Sequence, residues 1–342
     1  MSETRTEIAS LGEFGLIDRL SQPFAAASPQ TVKGIGDDAA VIDLENEYGL
    51  LTADLLLEGV HFDLSFFPLK HLGYKAIAVN ISDIAAMNGI PGQVTVSLAV
   101  SNRFSVEAIE ELYAGIAAAC ADFRVDLVGG DLSSSRSGLL ISVSVFGKVD
   151  KGKVVYRASA QPNDLLCVTG DLGAAYLGLQ ILEREKQVFL ANPNMQPQLD
   201  GHDYVVQRQL KPEARMDVIY ELAEAGVIPT AMIDLSDGLA SDLLQLSKAS
   251  NVGAMVFEEN LPIDEQTYLA ATELNLSPVT AALNGGEDYE LLFTVRQADY
   301  DKIKNNPKIS VIGYVTDQPQ SITLSLKSGS KVPITAQGWE QG

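Results

Sequence analysis

Apolar and polar positions along this chain switch repeatedly between helical spacing and strict alternation, and the switches lay out its elements. Residues 8–20 carry a helical pattern and predict a short helix, followed by the loop SQPFAAASP and the glycine turn GIGDDAA at 34–40. AAVIDL and GLLTAD read as strands, and KHLGYKAIAVNISDIAAMNG as a helix closed by Asn88-Gly89 ahead of Pro91. QVTVSLAV alternates at period two. The stretch 105–123 is helical with Ser105 as its N-cap, and VDLVGGD and LLISVSVFGKV are strands. A second half opens at RASAQPNDLLCVTG, where Gln-Pro-Asn-Asp supplies a turn before a buried strand. Helices are predicted at about 173–186, 213–225 and 236–249, and strands at TAMIDL, GAMVFEE, YELLFTV and ISVIGYV. Residues 187–201, rich in Gln, Pro and Asn, read as a surface loop. The pattern predicts an α/β chain of two domains, 1–150 and 151–342.

Charge narrows the chemistry. The net charge of −21 excludes nucleic acid as the expected partner, because phosphate backbones need Lys and Arg to neutralise them. An acidic chain that handles small phosphates has to recruit cations, and divalent metals on carboxylates are the usual means. No run of about 18 apolar residues and no signal-peptide pattern occurs, so a soluble, cytoplasmic protein with no membrane partner is expected. Cys120 and Cys167 lie in apolar contexts without a CxxC and are expected to be buried free thiols.

GIGDDAA resembles the glycine fingerprint of dinucleotide-binding folds, but that fingerprint needs a strand before it and a helix after it. Here SPQTVK precedes and a strand follows, so the two carboxylates suit a metal-holding turn better. Further aspartates are expected at strand ends or helix starts: Asp54 in TADLLLEGVHFD, Asp83 in NISDIAAM, Asp131 in LVGGDLSSS, and Asp234 and Asp237 in IDLSDGLASDL. A carboxylate next to an apolar run needs a reason to be there. Taken singly each fits a cap or turn; taken together they predict a rim of hard oxygen ligands. Sequences for a P-loop, a protein kinase, a serine-nucleophile elbow and an HExxH zinc site are all missing. Of three histidines, His61 in EGVHFD stands nearest to this chemistry, and His71 and His202 are expected on helix surfaces.

GIGDDAA, TADLLLEGVHFD, YKAIAVNISDIAAMNG, GGD, FGKV with the arginine after it, VTGDLGAAYLGL, IDLSDGLASDL and GGEDYELLFTV stand in an order that resembles the thiamine-monophosphate kinase family, within the superfamily of aminoimidazole ribonucleotide synthetase. The resemblance covers nearly the whole chain. It implies a two-domain fold whose N-terminal domains pair into a homodimer, with ATP and several Mg²⁺ ions among acidic loops. By the same resemblance Asp38, Thr52, Asp54, Asp83, Asp131, Asp234 and Asp237 are metal positions. Tyr113, Gly130, Asp131, Arg157 and Ser236 are ATP positions, and His61, Glu287 and Trp339 lie at the thiamine monophosphate. RASAQPND replaces the family's glycine-bearing turn around Arg157, and the end, GWEQG, departs from the family after Trp339. The activity implied is transfer of a phosphoryl group from ATP to thiamine monophosphate. Two alternatives are another ATP-dependent synthetase of the superfamily and an acidic cation-binding module without catalysis.

Overall fold

The computed structural model describes residues 12–24 and 27–335, so Trp339 lies outside the described residues. The first half forms helix α1 (Gly12–Ser21), strands β1 (Thr31–Lys33), β2 (Ala40–Asp43) and β3 (Glu47–Leu57), and helix α2 (Leu69–Ala86). Strand β4 (Ile90–Val100), helix α3 (Val106–Phe123), β5 (Asp126–Ser134) and β6 (Leu139–Asp150) follow. The six strands make one sheet in the order β1-β2-β3-β6-β4-β5, antiparallel except for the β4–β5 pair. The glycine turn therefore does follow a strand, the three residues of β1, contrary to the sequence expectation. A strand rather than a helix comes after it, so the dinucleotide arrangement is still absent.

α2 covers one face of this sheet over β3, β6 and β4, and α3 packs on α2. Their contact is close because a Cβ on Gly73 would sit 2.0 Å from the Leu112 carbonyl oxygen, and one on Gly115 1.9 Å from that of Lys70. Only two glycines let the helix backbones approach this far. Ser105 caps α3 as the sequence predicts, its side chain accepting from the Ala108 amide. α2 is buried on nearly every side, which fits its almost continuous apolar sequence. The other sheet face is bare: Leu51, Leu55 and Leu57 of β3 are all exposed, and so is every residue of β5.

The second half forms β7 (Leu165–Thr169), α4 (Ala174–Ala191), α5 (Asp203–Leu210), α6 (Met216–Glu224), β8 (Ala231–Asp234), α7 (Leu239–Ser250) and β9 (Gly253–Phe257). It continues with α8 (Glu265–Glu273), α9 (Pro278–Asn284), β10 (Leu291–Val295), α10 (Tyr300–Ile303), β11 (Ile309–Thr316), β12 (Ile322–Ser325) and β13 (Lys331–Pro333). Its seven-stranded sheet runs β13-β12-β9-β11-β7-β10-β8, with only β12–β9 parallel. α4 runs five residues further than predicted, to Ala191, and takes the first third of the expected loop 187–201. α7 starts at Leu239, three residues late, because Gly238 at φ 110 cannot be helical. The cysteines are free, Cys167 buried and Cys120 half-buried. No described helix is long and apolar enough to cross a membrane.

Candidate active site

An acidic centre forms where the two halves meet. Asp38 from the glycine turn, Asp83 from α2 and Asp234 from the end of β8 bring carboxylate oxygens within 4.8 Å of one another. Asp38 and Asp234 are buried. Like charges about 4 Å apart repel by roughly 4 kcal/mol at the effective dielectric of a protein surface, so such a trio needs cations or protons. Burial, then repulsion from Asp54, Asp234 and Asp38, holds the Asp83 carboxyl well above the usual carboxylate range. Burial followed by repulsion from Asp38 lifts Asp234 to about 7, and burial lifts Asp54 to about 6. Asp38 is raised by burial as well, with Arg157 opposing.

The scaffold around the trio is specific. Thr52 Oγ1 donates to Asp83 Oδ2 at 2.5 Å, and the Asp54 amide donates to Asn80 Oδ1 at 3.1 Å. β3 and α2 are thus fastened together where their acidic residues meet. Arg157 donates from Nη2 to Asp38 Oδ1 at 2.5 Å and from its backbone amide to Asp37 Oδ1 at 3.2 Å. The other Asp38 oxygen is buried without a hydrogen-bond partner. Asp37 is pushed up to about 6 by burial and by Asp38. One arginine therefore faces five neighbouring aspartates, more carboxyl oxygens than a single guanidinium can balance once they ionise, and the set suits hard cations.

Glu287 and Ser236 stand beside it on two segments that lock together. The Glu287 amide donates to the Ser236 carbonyl at 2.7 Å, and the Tyr289 amide to that of Leu235 at 2.9 Å. Ser236 is exposed and Asp237 half-buried. Asp242 of α7 accepts from the amides of Asp237 and Gly238, closing the turn after Asp234. His61 lies in the exposed turn after β3, where its Nδ1 accepts from the Leu57 amide at 3.0 Å. The neutral ring then carries its proton on Nε2.

Gly130, Asp131 and Tyr113 do not join the trio. Strand register explains this for Asp131: it pairs with Ser97, Ser97 with Ser142, and Ser142 with Leu55. Directly paired residues share a face, so Asp131 stands on the bare face with Leu55 while Asp54 points the opposite way, toward α2. Gly130 lies in the row of Asp54 but three strands across, about 14 Å at ordinary strand spacing. Tyr113 is exposed on α3.

The expected positions of the aspartates need correction. Only Asp234 ends a strand; Asp54 and Asp131 lie inside β3 and β5, and Asp83 lies in the last turns of α2 rather than at a helix start. The carboxylates converge from a sheet face and a helix side, not along one rim. His71 and His202 are half-buried rather than surface residues, and His202 faces Glu273 at 3.3 Å. The sequence reading also missed Lys75, Asn80, Gln209 and Asp242. Lys75 and Asn80 left a signal, being polar residues inside the apolar run YKAIAVNI.

Comparison with known proteins agrees with this architecture. Residues 36–149 match the AIR synthase related protein N-terminal domain, and residues 161–324 the corresponding C-terminal domain. The thiamine-monophosphate kinase of Bacillus subtilis (strain 168) is 35% identical over 340 residues, covering 96% of this chain and 99% of its own. That of Aquifex aeolicus (strain VF5) is 35% identical over 291 residues, covering 84% and 87%. The solved complex of AaThiL with AMPPCP and TMP superposes with a TM-score of 0.83 at 31% identity, over 99% of this chain and 100% of the other. Matched in both halves and over nearly its whole length, the chain belongs to the AIR synthase related family and, within it, to the thiamine-monophosphate kinases.

Proposed function

We propose that this chain transfers the γ-phosphoryl group of ATP directly to the phosphate of thiamine monophosphate, giving thiamine diphosphate and ADP without a covalent enzyme intermediate. The observation that carries the reading is the meeting of Asp38, Asp83 and Asp234, with Asp38 and Asp234 buried and Asp83 half-buried. The AaThiL complex with AMPPCP and TMP supports the choice of both substrates. All donors at the centre are hard oxygens and one buried Asp38 oxygen lacks a partner, so the residues fit Mg²⁺. Asp38, Asp54, Asp83 and Asp234, with Thr52 and Asp237 beside them, would hold several ions. Bound there, Mg²⁺ supplies the positive charge that lets two phosphate-bearing substrates approach.

The chain's own residues do the rest by placement. Arg157 is fixed by Asp37 and Asp38 and presents its guanidinium to ATP, together with Ser236. Gly130, Asp131 and Tyr113 stand apart from this centre within one chain and are assigned to ATP by the resemblance to the family alone. His61 offers its Nε2 proton to the acceptor, and Glu287, with Trp339 from the tail, borders its thiamine part. An ionised phosphate acceptor needs alignment rather than a strong base, which suits a centre without a catalytic histidine pair. In this reading residues 1–150 hold ATP, metal and the dimer contact, and 151–342 complete the site of a cytoplasmic enzyme. The uncovered leucine face of the first sheet supports a homodimer.

Steady-state ADP release with thiamine monophosphate, and with aminoimidazole precursors in its place, tests the reading. Asp83→Asn should lower kcat at least 100-fold while the metal-free Tm stays close to wild type, since a neutral amide of the same shape replaces a carboxyl that burial and its neighbours hold protonated without metal. Wild-type turnover by this variant at saturating Mg²⁺ would remove Asp83 from the centre. Release driven by the precursors alone would move the chain to the synthetases.

A further inference from the structure

Lys75 is a cation set within the buried helix α2. Its side chain is 1% exposed, and its ammonium lies 3.0 Å from Glu287 Oε1 and 5.4 Å from the centre of the Phe67 ring. The second oxygen of Glu287 accepts from Gln209 Nε2 of α5 at 2.7 Å, and Gln209 is buried too. Two buried donors from two helices therefore occupy both oxygens of one carboxylate, and that carboxylate's side chain remains 26% exposed. The backbone is constrained as well: Glu287 has φ 58, a left-handed conformation that a residue with a side chain adopts at a cost. Such conformations persist where the surroundings over-determine them, often at ligand sites.

A buried ion pair is a weak source of stability, since apolar side chains of like volume serve as well. The pair here has a geometric consequence instead. Lys75 and Asp83 stand on the same helix, eight residues and about 12 Å apart along its axis. Between them Asn80 holds the backbone of Asp54. α2 thus ties Glu287 at one end and the acidic centre at the other to a single rigid rod.

We infer that Lys75 and Gln209 are positioning residues for the acceptor: they fix the Glu287 carboxylate at a set reach from Asp83, so that α2 gauges the span between the thiamine part and the reacting phosphate. The inference rests on the reading of Glu287 as a contact of thiamine monophosphate. Its test combines direct binding of thiamine monophosphate, KM for both substrates, kcat and Tm in Lys75→Met, Gln209→Leu, Glu287→Gln and the Lys75→Met/Glu287→Gln double variant. Lys75→Met should raise KM for thiamine monophosphate at least tenfold and leave KM for ATP within twofold. In the Glu287→Gln background the same change should alter KM less than twofold, because Lys75 acts through Glu287. Gln209→Leu should raise the same KM severalfold, and it carries the test if Lys75→Met does not fold. A lowered Tm with both KM values at wild type, or fully additive effects in the double variant, overturns the inference. Unchanged KM in an active Glu287→Gln enzyme overturns it while the kinase reading stands. A wild-type chain that does not phosphorylate thiamine monophosphate overturns both.

Discussion

At the residue scale the site is governed by carboxylates that resist ionisation. Asp54, Asp83 and Asp234 hold protons in the metal-free fold at pH values where an unfolded chain has released them. A raised carboxyl contributes stability that is full below about pH 4, its unfolded range, and lost as pH rises through the folded value near 6 to 7. Mg²⁺ binds the deprotonated groups and offsets that loss. The gain in Tm on replacing chelator with saturating Mg²⁺ should therefore grow as pH rises from about 5 to about 7. A gain of constant size across that window would mean that the metal binds elsewhere. These aspartates were visible in the sequence as charges among apolar residues. Their pKa shifts were not, since each depends on neighbours far away in the chain: Asp83 feels Asp38 and Asp234, which lie on other segments.

At the element scale α2 does most to build the centre, and its own pattern explains why it formed. Its near-continuous apolar run demands burial on all sides, and α3 with the sheet provides it. The predicted helix and the N-cap of α3 were legible because both depend on residues within a few positions. The placement of Asp83 inside the helix rather than at its start decides that it meets Thr52 side-on. Gly115 lets α3 approach, so Gly115→Ala would drive a Cβ into a backbone carbonyl that cannot rotate away. A loss of about 1 to 3 kcal/mol is expected, read from the urea midpoint, with kcat falling as α2 shifts. Wild-type stability would show that the two helices can separate without cost.

At the scale of the whole molecule two mixed sheets meet at the acidic centre, and the first sheet keeps an open face. That face carries Leu51, Leu55 and Leu57 with small residues of the neighbouring strands, among them Ser142. If a second copy covers it, Ser142→Arg in the central strand β6 should shift the chain from dimer to monomer in sedimentation equilibrium at fixed concentration. A wild-type chain that sediments as a monomer would remove the dimer from the reading. By itself the sequence determined the element types, the buried helix α2, the acidic character and, through motifs in a fixed order, the family. All of these follow from local periodicity, charge and neighbouring residues. Only the tertiary structure decided which carboxylates meet. The register of β3, β6, β4 and β5 turns Asp131 to the open face while Asp54 faces α2, because one residue of offset reverses a side chain across a sheet. The pairing of Lys75 with Glu287, 212 positions apart, likewise exists only once α2 is packed against the second half, since no local pattern encodes a contact of that range.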